Sequence, residues 1–423
     1  MSRRIARLAV VLGAGFIVLL VQLSNIGYFS AESLRQHDFN RRAAAAALGQ
    51  ARGAITSADG ETIAPAIDPD ALGARRLRTY PHGPLYAHVA GYLAPEAGAD
   101  GLERSYDAEL SGRAADIALR DVSDLFADSD RIGDLGLTVH HGVQLTVRAA
   151  LGDRDGAVVV VHPQTGAILA LWSRPSFDPN IVDGLMPDGP ALATGLPDAR
   201  AYQRSYVLTA DAASGASGET LLQRASTQPA ATGIDLPGEP DAIAQLDGVT
   251  LTPLQLALAA AAVANEGVRM RPHVVHQIKA RAPGAGTGDA AASADVVQEV
   301  AASSIDSLFE PDEAASLLQA MTSAAEQVPI RLVLTDGVEV AAAVAGGAAG
   351  SVGDLGGPAG SWAVLLAPAD GPTVSVAVLI EPDAALDVGD PQGSGTLATM
   401  IAATAAEAAL ALRAVPTPVG DGP

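Results

Sequence analysis

The sequence predicts an α+β fold in which an antiparallel sheet is covered by helices on both faces. Two observations carry this. Two apolar hairpins lie far apart in the chain, GAVVVVHPQTGAILALWS at 156–173 and GSWAVLLAPADGPTVSVAVLIEP at 360–382. Between them runs LTPLQLALAAAAVANEG, residues 251–267, apolar nearly all round and therefore a buried helix. In the hairpins the apolar runs are almost continuous. Strands of that kind need cover on both faces.

The elements follow in order. Arg3, Arg4 and Arg7 precede an uncharged stretch from Leu8 to Phe29. As a helix it would rise about 33 Å, enough to cross a bilayer core of about 30 Å. It reads as an uncleaved signal anchor, because no small-x-small cleavage site follows it. The flanking arginines predict a cytoplasmic N-terminus with the body on the far side of the plasma membrane. Residues 30–50 read as a juxtamembrane helix rich in Ala. RGAITSADGETIAPA, residues 52–66, reads as a hairpin turning at Asp59-Gly60. Residues 67–140 show turns and short elements but no long amphipathic helix.

Strands are expected over Ala157–Val161, Ala167–Trp172, Ser361–Leu366 and Val374–Ile380. In the buried helix Thr252 suits the N-cap, Pro253 the first helical position and Gly267 the stop. Further helices are expected over about 310–326 and 395–412. Residues 281–294 read as a surface loop and 415–423 as a disordered tail. The domains expected are an anchor over 1–29, an N-terminal non-catalytic domain over 30–150 and a second domain over 151–414.

Composition excludes several functions. The chain has 423 residues with 26 basic and 48 acidic side chains, a net charge of −22. That balance speaks against a nucleic-acid binder, which needs a basic face to replace phosphate counterions. There is no cysteine, so disulfides, thiolate metal sites and a Cys nucleophile are excluded. The charge is uneven. Residues 1–78 hold ten Arg and six acids, so a basic end precedes an acidic body.

Several motifs, in this order, resemble a class B penicillin-binding protein, the membrane-anchored type of cell division and elongation in high-GC bacteria. Arg52-Gly53-Ala54-Ile55 with Asp59-Gly60 and Ile63-Ala64 resembles the family's RGxIxDxxGxxLA. Gly101-Leu102-Glu103 with Tyr106-Asp107 and Leu110-Ser111-Gly112 resembles its GLExxYdxxLxG. Residues 156–180 resemble the opening hairpin of its transpeptidase domain, 233–239 its GIDLPGE, and 251–275 its buried helix and following strand. Ser361-Trp362-Ala363 with Ala367-Pro368 resembles the strand beside its active site. The resemblance implies a five-stranded antiparallel sheet behind an elongated N-terminal domain. It also implies crosslinking of peptidoglycan stem peptides through an acyl-serine, with acylation by β-lactams.

That chemistry rests in the family on Ser-x-x-Lys opening a helix, on Ser-x-Asn, and on a Lys-Thr-Gly strand. Ser-x-x-Lys and Ser-x-Asn occur nowhere in the chain. The only lysine is Lys279, and His276 stands three positions before it. The best local match to the nucleophile helix runs from Gln203 to Thr209, with Gln203 at the serine position and Tyr206 at the lysine position. Val344-Ala345-Gly346 is the counterpart of Lys-Thr-Gly. Only 52 residues separate Asn180 from Gly233, so the domain is shortened where the nucleophile helix and Ser-x-Asn loop would lie. Arg cannot stand in as base, because a guanidinium stays protonated.

The expectation from sequence is therefore a protein that is not an enzyme, a structural or regulatory partner of membrane proteins of cell-wall synthesis and division. The alternative is a penicillin-binding D,D-transpeptidase acylated at a displaced serine, Ser205 first, with Ser214 and Ser217 in the same region. A peptidoglycan peptide is a candidate ligand, and no cofactor or metal is expected. His140-His141 with His162 lack metal-ligand spacing and read as surface histidines. Asp128-Ser129-Asp130 and Asp153-Arg154-Asp155 read as solvated turns, lacking a calcium-loop continuation. Gly346-Gly347 with Gly350 is no phosphate loop.

Overall fold

A computed structural model describes residues 51–67, 78–94, 98–118, 131–182, 206–208, 215–226, 249–281, 295–326, 337–346, 350–351, 361–381 and 393–412. The anchor, the juxtamembrane helix, the 282–294 loop, the GIDLPGE segment and the tail lie outside the described residues. Among those that are described, no helix is long and apolar enough to cross a membrane.

Strands β1 (Ile55–Thr56) and β2 (Thr62–Ala64) come first, and β3 (Ile132–Leu137) follows a small ribbon of Leu93–Ala94 with Gly98–Ala99 and several short helical turns. Helix α1 (His141–Leu151) precedes the hairpin β4 (Gly156–Val161) and β5 (Ile168–Arg174). Next are β6 (Tyr206–Leu208), α2 (Gly215–Ser226), β7 (Val249–Leu251) and α3 (Pro253–Ala264). A ribbon follows, β8 (Val268–Met270), β9 (Val275–Arg281), β10 (Asp295–Glu299) and β11 (Ser304–Ser307). The chain continues through α4 (Pro311–Ala325), β12 (Ala341–Gly346), β13 (Gly350–Ser351), β14 (Ser361–Ala367), β15 (Val374–Ile380) and α5 (Gly393–Ala411).

The two predicted hairpins join through β15 and β4. The resulting five-stranded sheet has the order β12-β14-β15-β4-β5 and is antiparallel throughout. Val378 faces Val158, and Val159 faces Leu171. Every residue of β4, β14 and β15 is buried, as continuous apolar strands require. Ser375 Oγ donates to the Ala257 carbonyl of α3 at 3.0 Å, which places α3 on one face. On the other face Arg148 of α1 lies 5.8 Å over the Trp172 ring, and α5 packs there against α1. Helix α3 is buried over eleven of its residues, Pro253–Val263. Its start is a capping box: Thr252 Oγ1 accepts from the Gln255 N–H at 3.1 Å, and Gln255 Oε1 accepts from the Thr252 N–H at 2.8 Å.

The expectation of a single sheet is corrected. A second five-stranded sheet, ordered β10-β9-β3-β1-β2, stands with three smaller ones. Long-range pairing of β9 with β3 builds it, and local sequence carries no signal of such pairing. The sequence reading names no element over 141–151. His141 opens a helix there, and Val143, Gln144, Val147 and Leu151 form its buried stripe.

One ion cluster ties the N-terminal motifs together. Arg52 Nε donates to Glu103 Oε2 at 2.6 Å and Arg78 Nε to Glu103 Oε1 at 2.6 Å. Arg52 Nη1 reaches Asp107 Oδ1 at 2.7 Å, and Arg52 Nη2 the Glu103 carbonyl at 2.7 Å. Glu103 is fully buried and Arg52 is 1% exposed. Burial pushes the Glu103 carboxyl up, but Arg78 and Arg52 outweigh it and hold the group below the usual range. The glycines of both motifs sit where backbones touch. A Cβ on Gly53 would lie 1.9 Å from the Gly133 carbonyl oxygen. Gly101 has φ 61°, and a Cβ there would lie 2.5 Å from Gly91 N.

Glu103→Gln leaves two arginines facing a neutral partner at a buried site. It should lower unfolding free energy by about 3–5 kcal/mol, read by denaturant titration. A depressed carboxylate pKa stabilises above the unfolded value of about 4.3 and stops doing so as pH falls through the folded value. Unfolding temperature should therefore drop in the wild type on acidification below about pH 4, and the variant should lose this part of the dependence.

Candidate active site

Strand β12 is an edge of the central sheet. Val344, Ala345 and Gly346 end it, paired with Ala363, Trp362 and Ser361. Four positions on, Gly350 and Ser351 of β13 pair with Val207 and Tyr206 of β6. Tyr206, Val207 and Leu208 pair in turn with Leu251, Thr250 and Val249 of β7, which leads into the Thr252 cap of α3. The backbone thus brings two of the expected site segments, 344–346 and Tyr206, to one corner.

Helices wall this corner. Helix α4 packs on β12, and α2 packs on both α3 and α4. Arg224 of α2 grips both carboxylate oxygens of Glu313 of α4, at 2.8 and 2.9 Å. Its guanidinium also lies 6.0 Å from the Phe309 ring centroid. Chemically, an edge strand offers a row of backbone N–H and C=O groups to an extended peptide.

The other expected residues are placed as follows. Gln203, Ser205, Ser214, Asp128-Ser129-Asp130 and Gly347 lie outside the described residues, and Ser217 is a backbone position in α2. Tyr206 stands in a strand, so the match of Gln203–Thr209 to a helix is corrected over 206–208. Short strands form where partners on both sides satisfy their backbone, and β7 and β13 supply those partners. Lys279 lies in β9, in register with Asp134 and Val296, within the second sheet. His276 Nδ1 stands 3.0 Å from the Gly136 carbonyl of the same sheet.

His141 Nδ1 is 2.9 Å from the Tyr86 hydroxyl, while burial lowers the pKa of His140. Among the described residues no group of three His, Cys, Asp or Glu is arranged to hold a metal. Asp153 and Asp155 both meet Arg174, at 2.8 and 3.3 Å. Two contacts were not read from the sequence. One is the meeting of Arg52 with Glu103, although both motifs were visible. The other is Asp59, whose Oδ1 accepts from the His141 N–H at 2.9 Å and closes the start of α1. These amide hydrogen bonds, with that from Ser57, hold the Asp59 carboxyl below its ordinary value against the opposing effect of burial.

This architecture, a buried antiparallel sheet with an edge strand beside a helical wall and an N-terminal sheet unit, is that of the penicillin-binding transpeptidases. Residues 52–135 match the penicillin binding protein A dimerisation domain, and 227–405 match the penicillin binding protein transpeptidase domain. The chain belongs to the class B penicillin-binding proteins. It is 28% identical to the peptidoglycan D,D-transpeptidase PbpA of Mycolicibacterium smegmatis, over 90% of this chain and 94% of that one. The PbpA of Mycobacterium tuberculosis aligns with the same identity and coverage. The PbpA alignment with M. smegmatis runs over 477 positions, more than the 423 residues present here, so the relative carries segments that this chain lacks.

In fold, the crystal structure of M. tuberculosis PBPA superposes with a TM-score of 0.63 at 23% identity, covering 86% of this chain and all of that one. The imipenem acyl-enzyme complex of the same protein gives 0.65 at 24%, with the same coverage.

These findings correct the expectation that the chain is not an enzyme. Its relatives over nine-tenths of its length are named as D,D-transpeptidases, and the family is enzymatic. The missing Ser-x-x-Lys spacing shows only that no serine has a lysine one helical turn away. Spacing alone is silent on any other acyl acceptor.

Thr252→Ala removes the capping box at the helix that floors this corner. It should cost about 1 kcal/mol of stability. Circular dichroism melting measures this, and Thr252→Ser should restore most of the loss.

Proposed function

We propose that this chain is a membrane-anchored peptidoglycan D,D-transpeptidase of cell-wall synthesis and division whose acyl acceptor is a serine outside Ser-x-x-Lys. Ser205 is assigned first. The observation that carries the reading is the corner where β12, β13, β6 and β7 meet, because Ser205 immediately precedes the first residue of β6. The apolar, uncharged stretch 8–29 supports the anchor, and the named relatives support the substrate class, a peptidoglycan stem peptide.

The reaction is two acyl transfers. The serine oxygen bonds to the donor carbonyl carbon as the C–N bond breaks, and the hydroxyl proton leaves with the departing amine. An amine of a second stem peptide then attacks the ester, and the serine regains its proton. The edge strand β12 would align the donor by main-chain hydrogen bonds. Without a neighbouring lysine, serine is a weak nucleophile at its own pKa. Acylation is then expected to be slower than with a positioned general base by roughly 10²–10⁴-fold. Partners are membrane proteins of the same pathway, reached through the anchor and the N-terminal unit.

The test is long incubation of the full-length protein in detergent with a fluorescent β-lactam, followed by denaturing electrophoresis and intact-mass analysis. A slow covalent adduct is expected, absent from Ser205→Ala. No adduct on a cooperatively unfolding protein would remove the acyl-serine reading, and an adduct that survives Ser205→Ala would move it to another serine.

A further inference from the structure

The corner is poor in positive charge. It is built by β6, β7, β12, β13, α2, α3 and α4, and among the residues of these elements Arg224 is the single Lys, Arg or His. The same elements carry three carboxylates, Glu219, Asp312 and Glu313. The chain as a whole is acidic, with 26 basic against 48 acidic side chains. A peptide laid along β12 brings a further negative charge at its C-terminal end. In so acidic a body that charge needs a local cation.

We infer that Arg224 binds the free carboxylate end of the peptide at this corner, and that Glu313 is the carboxylate it gives up in exchange. The inference rests on the substrate class proposed above and not on the acyl acceptor. Arg224 stands in the last turn of α2, and α2 packs on β12, β7, α3 and α4. Its guanidinium already seats a carboxylate: Nη2 donates to Glu313 Oε1 at 2.8 Å and to Oε2 at 2.9 Å. Glu313 thus occupies the guanidinium as a ligand carboxylate would. The Phe309 ring, 6.0 Å from the guanidinium, backs it and favours its cationic form there. Both partners stay within reach of water, at 47% and 31% exposure. An ion pair so exposed contributes little to stability, so it is readily exchanged. Glu313 also remains well placed after release. It lies in the first turn of α4, where the helix N-terminus favours negative charge.

The test uses the full-length protein in detergent carrying Ser205→Ala, so that binding is read without transfer to that serine. The probe is a dye-labelled peptidoglycan stem peptide with a free C-terminal carboxylate, set against the same peptide with a C-terminal amide. Fluorescence anisotropy is the readout. The acid should bind at least about tenfold more tightly than the amide, the strength of one hydrogen bond between charged groups. Arg224→Gln should erase that difference. Arg224→Lys should restore part of it, because an ammonium keeps the charge but not the fork. Glu313→Gln should tighten the acid by about two- to fivefold and leave the amide unchanged, since it removes an exposed competing carboxylate. Equal binding of acid and amide overturns the inference. So does a difference that survives Arg224→Gln, or a Glu313→Gln that leaves the acid no tighter. Binding of neither peptide overturns it together with the substrate class. The β-lactam adduct of the wild type reports on the acyl acceptor alone, so its absence would remove that assignment and leave a carboxylate bound at Arg224 standing.

Discussion

A strand that is apolar on both faces cannot lie against water on either side, and three adjacent strands of this protein are of that kind. β14, β15 and β4 therefore demand two layers of cover. The rest of the second half answers that demand. Helix α3, itself apolar all round, fits only where it is enclosed, between the sheet and the helices α2 and α4. Helices α1 and α5 take the other face. The polar groups that enter this core arrive already paired, as Ser375 does with the Ala257 carbonyl. The strand left at one edge by this arrangement, β12, is the strand that borders the candidate site.

The N-terminal unit is organised by charge. Glu103 is out of water, and two arginines delivered from sequence-distant segments keep it ionised. Removing a single member would leave an uncompensated buried charge. The cluster therefore locks three segments, around 52, 78 and 103, into one arrangement. Gly53 and Gly101 lie beside it, where backbones approach too closely for a Cβ. The unit is not closed by its own stretch of sequence. Strand β9, which follows α3, pairs with β3 and completes its sheet. The two sheets are thus joined by continuous chain at one end of the β3–β9 pair, where Leu137 lies beside Val275: the chain leaves β3 into α1 and enters β9 from α3 through β8.

The candidate site shows how far residue patterns reach. The buried helix was legible because its apolar patterning and capping residues are local, and it starts at Pro253 behind the Thr252 cap as expected. The edge strand was reached only through the resemblance of Val344-Ala345-Gly346 to the family's Lys-Thr-Gly, with no bounds expected for it. The corner itself was not legible, because β6, β7 and β13 are two or three residues each. Strands that short carry no periodicity, and pairing across long stretches of chain creates them. The spacing of a serine and a lysine was readable too, but it was weighed beyond its content. Relatives along most of the chain are named as enzymes, and a missing spacing says where a base is not.

The sequence by itself determined the α+β class, the five-stranded antiparallel sheet, three of the helices that flank it (α3, α4 and α5) and the family. Each depends on local pattern or on motifs that stand in the chain order of their relatives. Tertiary structure alone decided that Arg52 and Arg78 meet on Glu103, that β9 crosses into the N-terminal sheet, and that Tyr206 belongs to a strand beside β13. These are contacts between residues tens to more than a hundred positions apart. They are set by which burial and pairing can be satisfied together in three dimensions, a condition that no window of sequence contains.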